Sequence, residues 1–141
     1  PLAVKDIPVI LLRVMIMTNL IWIGMGGALG AMARFSLATA IFKWVGKAYP
    51  YGTLSVNLIG SFAIGAAYVW LVENDYGGDA HRHLIMVGFL GAFTTFSTFS
   101  LESLTLLQQG RTTAFLTYIA LSLIGCMLAT ALGMILTKQL V

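Results

Sequence analysis

Residues 88–107 read GFLGAFTTFSTFSLESLTLL, a stretch in which an apolar segment runs into a cluster of hydroxyl side chains. Between positions 94 and 100, five of the seven residues are Ser or Thr. These hydroxyls compete with the backbone ladder of a helix by bonding nearby backbone groups, and Gly91 just upstream adds no local stiffness. Such a segment is either packed closely against partner helices or broken around a polar pathway. We favour the broken helix.

The overall composition is that of a membrane protein. Of the 141 residues, 59% are hydrophobic and 9% are charged, whereas about a quarter of the residues in a typical soluble domain are charged. The single cysteine, Cys126, excludes an intrachain disulfide and a thiolate metal site. The net charge of +3 is scattered over short loops and does not form the basic patch of a nucleic-acid-binding protein.

Long apolar stretches with few charges are typical of membrane-spanning helices. They predict an all-α membrane protein with four transmembrane helices, at about residues 20–42, 53–72, 84–107 and 113–137. Residues 19–141 would form one transmembrane domain, and residues 1–18 a flexible or interfacial N-terminal extension. Four Lys or Arg residues would lie on one side of the membrane and three on the other. This bias is too small to fix the orientation, so the sequence permits insertion in both directions and an antiparallel dimer.

Small residues at helical spacing predict close packing between the spans. In the first span, Gly26 and Gly30 form a GxxxG interval. In the fourth, Gly125, Ala129 and Gly133 repeat the same spacing. Such intervals let two helix backbones approach each other closely in lipid.

Thr53, Asn57 and Ser61 recur at every fourth position of the second span and so lie on one face of a helix. Hydrogen bonds between helices would be enough to explain three polar groups there, at roughly 1 kcal/mol each. Asn57 is the most informative of them because its amide offers two donors near the middle of a membrane segment. We favour a pathway role for Asn57 and leave Thr53 and Ser61 undecided.

Two charged residues stand inside or near the edges of the predicted spans. Arg34 indicates either function or a buried pairing, or else an anchor that reaches the membrane interface. Glu102 could pair with Arg34 or with an arginine of a partner, or could lie at the interface. His81 and His83 belong to a polar loop, and without a third ligand we assign them no metal-binding role.

Three segments resemble the Fluc (CrcB-type) fluoride channel family of bacteria and archaea. They are GGALGAMARF at 26–35, YGTLSVNLIGSFAIG at 51–65 and GFLGAFTTFSTFSLE at 88–102. The last is highly specific, and the resemblance extends over nearly the whole chain from about Asn19.

This resemblance implies a dual-topology, antiparallel homodimer in the inner or plasma membrane, whose third helix is broken in its middle. Two pores would pass fluoride down its electrochemical gradient and so protect the cell from fluoride. It also implies a structural sodium ion at the centre of the dimer. Backbone carbonyls of Gly91 and Thr94 from both subunits would hold that ion.

The matched motifs also assign the fluoride pathway. Phe96 and Phe99 correspond to the pore-facing rings, and Asn57 corresponds to the pore-lining amide. The remaining expected members of the pathway are Ser97, Thr98, Ser100, Tyr118 and Ser122, with Arg34 near the pore vestibule.

Other classes of function fit the sequence less well. A small proton-coupled multidrug exporter would need a carboxylate in its first span, and residues 20–42 contain neither Asp nor Glu. A membrane anchor or accessory subunit would need only the small-residue intervals and not the cluster of hydroxyls and Phe. An enzyme is the least favoured class because the chain offers no nucleophile–base pair, carboxylate pair or metal-ligand set.

Overall fold

The computed structural model describes residues 8–141, which form helices joined by short turns. Two of the helical segments have the wider π geometry, in which a backbone N–H bonds the carbonyl five residues earlier. In chain order the elements are α1 (Val9–Val45), α2 (Tyr51–Tyr68), a first π segment (Val69–Glu73), α3 (Gly78–His81), a second π segment (Arg82–Leu90), α4 (Gly91–Phe93), α5 (Phe96–Gln108) and α6 (Thr112–Lys138).

These elements combine into four spans that are long and apolar enough to cross a membrane: Val9–Val45, Tyr51–Glu73, Gly78–Gln108 and Thr112–Lys138. The prediction of an all-α protein with four membrane-length helices is therefore confirmed. The last three spans lie close to the ranges expected from the sequence.

The first span differs from the expectation because α1 begins at Val9 and not near residue 20. With 37 residues, it is about 55 Å long, well beyond the roughly 30 Å of a hydrocarbon core. Residues 9–18 of the expected N-terminal extension are thus helical, and residues 1–7 lie outside the described residues. That residues 1–18 are flexible or interfacial stays a prediction.

Glycines set the distance between α1 and the second π segment. A Cβ atom added at Gly26 would lie 2.1 Å from the carbonyl oxygen of Leu84, and one added at Gly30 would lie 2.1 Å from that of Phe89. On the facing helix, a Cβ at Gly88 would lie 2.7 Å from a carbonyl oxygen of α1. Close packing through the GxxxG interval is therefore confirmed.

A second glycine contact joins α2 to α6. A Cβ at Gly133 would lie 2.1 Å from the carbonyl oxygen of Phe62, and one at Gly65 would lie 2.2 Å from that of Thr130. At Gly125 the near neighbour is the side chain of Leu58, 2.9 Å away. Thus the small-residue interval of α6 brings the backbones together at Gly133, whereas Gly125 only accommodates a side chain.

Extended backbone at Thr94 and Thr95 separates α4 from α5. Thr94 has φ −82° and ψ 158°, and Thr95 has φ −150° and ψ 114°. Thr95 is the N-cap of α5, because its Oγ1 accepts a hydrogen bond from the backbone N–H of Thr98 at 3.2 Å. The helical run of the third span is therefore interrupted within the hydroxyl cluster.

The loop after the second span is held by Arg82. Its Nε donates to the backbone carbonyl of Leu71 at 2.8 Å, and its Nη2 lies 2.5 Å from a carboxylate oxygen of Asp75. A second ion pair joins Lys138, at the end of α6, to Glu73 at 3.0 Å. These contacts join the ends of the second, third and fourth spans on one side of the bundle.

Candidate ion pathway

Asn57 of α2 lies directly against the interruption in the third span. Its Oδ1 accepts a hydrogen bond from the backbone N–H of Thr95 at 2.8 Å, and its Nδ2 donates to the backbone carbonyl of Thr95 at 3.1 Å. One amide thereby serves both backbone groups of an extended residue, and these two bonds fix which end of the amide is the nitrogen. One of the two N–H groups on that nitrogen remains for another acceptor.

These bonds divert two backbone donors from their usual helical acceptors. In a continuous α-helix the N–H of Thr95 would donate to the carbonyl of Gly91, and that of Thr98 to the carbonyl of Thr94. Here the first donates to Asn57 and the second to the side chain of Thr95. The interruption therefore releases the carbonyls of Gly91 and Thr94 from the helical ladder.

A cleft of about 330 Å³ opens beside Asn57 and Thr95. Phe96 and Phe99 lie along it with ring centroids 5.4 Å apart, but they differ in exposure. Phe99 is buried, whereas Phe96 is 72% exposed. The amide, hydroxyl and aromatic side chains that line the cleft are Asn57, Ser61, Thr94, Thr95, Phe96, Phe99 and Ser122. We call this space the phenylalanine cleft.

Ser122 of α6 lines the phenylalanine cleft, and its hydroxyl oxygen is buried. Its side chain is 6% exposed, and its Oγ has no hydrogen-bond partner among the described residues. A buried hydroxyl without a partner costs about 1–3 kcal/mol. Because Ser122 lines the phenylalanine cleft, an ion or water there could relieve this cost.

A second cleft, of about 220 Å³, lies on the other side of Thr95 and is lined by Arg34 of α1. Thr53, Thr98 and Glu102 also line it, and we call it the arginine cleft. Thr95 lines both clefts, so it stands between the rings on one side and Arg34 on the other.

Glu102 is held by hydroxyl groups. Its Oε1 accepts from Thr53 Oγ1 at 2.9 Å, and its Oε2 accepts from the hydroxyl of Tyr118 at 2.7 Å. The hypothesis that Glu102 pairs with Arg34 within the chain is wrong, because in the described residues the ion pairs with acidic groups are those of Arg82 and Lys138. Thr53 and Asn57, one turn apart on α2, thus contact two different points of the third span.

Known proteins resemble this chain over most of its length. The sequence profile of the family described as "CrcB-like protein, Camphor Resistance (CrcB)" matches residues 21–134. The fluoride-specific ion channel FluC of Hahella chejuensis is 47% identical over 85% of this chain and 94% of its own length. The FluC of Magnetococcus marinus is 45% identical over 83% of this chain and 95% of its own length. The chain belongs to the CrcB family. It is therefore a membrane channel protein by family and not an enzyme.

In this CrcB-family chain, the expected pathway residues divide between the two clefts. The phenylalanine cleft brings together Asn57, Phe96, Phe99 and Ser122. The arginine cleft brings together Arg34 and Thr98. The remaining expected residues lie apart from both, namely Ser97, Ser100 and Tyr118.

Each of these three hydroxyls has another contact. Tyr118 is fully buried and donates to Glu102. Ser100 donates to the carbonyl of Phe96 at 2.9 Å, and Ser97 Oγ lies 3.3 Å from Thr95 Oγ1. Their assignment to the fluoride pathway stays a prediction.

Phe93, Phe96 and Phe99 follow one another at intervals of three residues but do not form one continuous stack. Phe93 lies before the interruption and stacks on Phe89, with ring centroids 5.8 Å apart. Phe99 packs instead between Phe96 and Tyr118. The extended backbone at Thr94 and Thr95 lies between Phe93 and the other two rings and separates them.

The sequence analysis assigned no role to Thr95, and it did not predict the hydroxyl partners of Glu102. The four-residue interval between Thr53 and Asn57 was a sequence signal for the contact to Glu102. It places both polar side chains on one face of α2, so both can face the same neighbouring helix. Thr95 is one of several neighbouring hydroxyl residues, and nothing in the sequence distinguishes it from the others.

Proposed function

We propose that this chain forms a fluoride-selective channel through which fluoride leaves the cell down its electrochemical gradient. One observation carries the proposal. An asparagine amide is fixed at an interruption of a membrane-length helix, beside a cleft lined by two phenylalanine rings and a hydroxyl without a partner. The relatives named fluoride-specific ion channels add support, since they match the chain over most of its length.

The chemistry of the phenylalanine cleft suits a small anion. Fluoride is strongly hydrated, so a pathway must replace water with hydrogen-bond donors. Asn57 retains one amide N–H beyond its bond to Thr95, and the hydroxyl of Ser122 is a further donor. The edges of aromatic rings carry partial positive charge, so Phe96 and Phe99 can offer their C–H edges to the ion.

The charge of the two clefts differs in a way that suits conduction. Uncharged residues line the phenylalanine cleft, whereas Arg34 lines the arginine cleft. Conduction requires sites that bind the ion well enough to admit it and weakly enough to release it. Arg34 can attract the ion to the arginine cleft, where hydroxyls of Thr53 and Tyr118 already bond the carboxylate of Glu102, and the neutral phenylalanine cleft can release it. Such a pathway needs no energy source.

The functional unit of the proposal is an antiparallel homodimer with two pores, one beside each subunit's phenylalanine cleft. Phe96 supports this arrangement, since it is 72% exposed although it lines the cleft. A second copy against this face would complete the wall of the cleft. The near balance of Lys and Arg between the two sides of the membrane favours insertion in both orientations.

A structural sodium ion fits the backbone at the interruption. Carbonyl oxygens are ligands that hard cations prefer, and the N–H groups that would bond the carbonyls of Gly91 and Thr94 in a continuous helix bond elsewhere. The two carbonyls of each subunit would hold the ion at the centre of the dimer. The ion would balance carbonyl dipoles that lipid cannot solvate. We place the dimer in the inner or plasma membrane of a bacterium or archaeon.

The first test is fluoride efflux from liposomes that contain the purified chain, with chloride as the competing anion. We expect rapid release of fluoride and negligible release of chloride. Asn57→Ala and, separately, Phe96→Ala should each lower fluoride efflux at least about tenfold, the effect of losing about 1.4 kcal/mol of interaction. The matched control is Asn74→Ala, because Asn74 donates only within its loop, to the carbonyl of Val69.

Two results would contradict the proposal. Folded protein that releases no fluoride would exclude a channel, and equal efflux from wild type and both pathway variants would exclude this pathway. An Asn74→Ala variant as defective as Asn57→Ala would show that the assay reports general damage.

A further inference from the structure

Thr95 occupies an unusual position, and this inference from it rests on the proposed function. Its side chain is 8% exposed and lines both the phenylalanine cleft and the arginine cleft. Its Oγ1 lies within hydrogen-bond distance of three other atoms: the backbone nitrogen of Thr98 at 3.2 Å, Oγ1 of Thr98 at 3.0 Å and Oγ of Ser97 at 3.3 Å.

The directions of these hydrogen bonds follow from the number of protons. The backbone N–H of Thr98 can only donate, so Thr95 Oγ1 accepts it. The single hydroxyl proton of Thr95 is donated to Thr98 Oγ1. Ser97 must then donate to Thr95 if they bond, because a hydroxyl has one proton and two acceptor positions. Ser97 therefore donates its hydroxyl proton to Thr95, whereas the hydroxyl proton of Thr98 is not used in these contacts and is available to another acceptor.

Thr98 differs in this respect from the other hydroxyl residues that follow it in α5. Ser100, Ser103 and Thr105 each donate to the carbonyl four residues earlier, at 2.9, 2.7 and 2.8 Å respectively. This is the usual local bond of Ser and Thr in a helix. Thr98 instead accepts a bond from Thr95, and it lines the arginine cleft.

We propose that Thr95 is a positioning residue, which holds the Thr98 hydroxyl as a hydrogen-bond donor toward an anion in the arginine cleft. Without the Thr95 hydroxyl, no hydrogen bond from Thr95 would hold the Thr98 side chain, and Thr98 could adopt another rotamer that turns its hydroxyl away from the arginine cleft. The arginine cleft would then lose a donor beside Arg34. Thr95 thus selects which hydroxyl of the cluster serves the ion.

The test compares fluoride efflux for Thr95→Val and Thr95→Ser in liposomes. Valine keeps the branched shape and the preference for extended backbone but removes the hydroxyl, so we expect efflux to fall about tenfold or more, as for a lost hydrogen bond to a charged group. Serine keeps the hydroxyl and should conduct within about threefold of wild type. The control is Thr130→Val, since Thr130 donates only to the carbonyl of Cys126 in its own helix.

A double-mutant cycle separates positioning from general damage. If Thr95 acts through Thr98, adding Thr95→Val to Thr98→Val should lower efflux no further. Independent, multiplying effects of the two substitutions would overturn the proposal, as would unchanged efflux in Thr95→Val.

If Thr95→Val does not give folded protein, Thr98→Val and Thr98→Ser decide the question. The proposal requires that valine lowers efflux at least about tenfold and that serine preserves it, so normal efflux through Thr98→Val would overturn it. Failure of the proposed function is distinguishable, because wild-type protein would then release no fluoride.

Discussion

Replacing Gly30 by alanine should weaken the contact between α1 and the second π segment. The added Cβ would lie 2.1 Å from the carbonyl oxygen of Phe89, whereas ordinary contacts begin near 3.4 Å. The two backbones must therefore separate by about 1.3 Å at this point. A gap of that size forfeits much of the dispersion energy between the facing atoms.

Two opposing effects determine how much Gly30→Ala changes the free energy of unfolding. Overpacking of this kind costs about 1–3 kcal/mol, and alanine regains up to about 1 kcal/mol through its better helix propensity. We expect Gly30→Ala to lower the free energy of unfolding by about 1–2 kcal/mol. Gly24 on the same helix provides the control, since a Cβ there would meet nothing within 4 Å. Gly24→Ala should be neutral or slightly stabilising.

The assay is unfolding of the purified chain in detergent micelles, followed by circular dichroism, with fluoride efflux measured on the same preparations. The two variants should shift the unfolding midpoint in opposite directions or differ clearly in size. Equal midpoints for Gly30→Ala and Gly24→Ala would refute the reasoning, because the change in chemistry is identical and only the surroundings differ.

Two further predictions concern polar contacts. Tyr118→Phe removes one of the two hydrogen bonds to Glu102, so the unfolding free energy should fall by about 2 kcal/mol. The control is Tyr49→Phe, because the Tyr49 hydroxyl makes only a long contact of 3.4 Å, and it should change the unfolding free energy by less than about 0.5 kcal/mol. Equal losses in the two variants would contradict a stabilising hydrogen bond from Tyr118 to Glu102. Arg82→Gln should increase amide exchange and proteolysis in the loop 74–81, because it removes the ion pairs that hold this loop. Lys138→Gln breaks one half-exposed pair and should leave the loop unchanged, so similar exchange in both variants would count against the role of Arg82.

The sequence predicted the number and type of the spans because both follow from composition over long windows. The same holds for the close contact at Gly26 and Gly30, since spacing on one helix determines which residues share a face. The sequence also singled out Asn57 and Phe99, and the structure brings both to the phenylalanine cleft. Their role in a fluoride pathway stays a prediction. The bounds of the first span were not predicted, because apolar residues continue well before residue 20 and nothing in the pattern marks where the membrane begins.

The partners of the polar groups depended on tertiary structure. From the sequence, Glu102 could pair with an arginine or lie at the membrane interface, and the structure places it between hydroxyls of α2 and α6. Such a choice depends on how helices rotate against one another, and a rotation of a few tens of degrees would bring different side chains to the same place. Burial of residues far apart in sequence, as for Tyr118, follows from the same packing.

By itself the sequence determined that the chain is helical, lies in a membrane and carries a hydroxyl-rich segment where a helix is weak. These properties are local, since each depends on residues within a few turns. Only the tertiary structure decided where the released backbone groups find partners. The N–H of Thr95 bonds Asn57, 38 residues away, because packing of α2 against the third span brings an amide to that point. In a medium without water, such long-range pairing is what makes an interrupted helix tolerable.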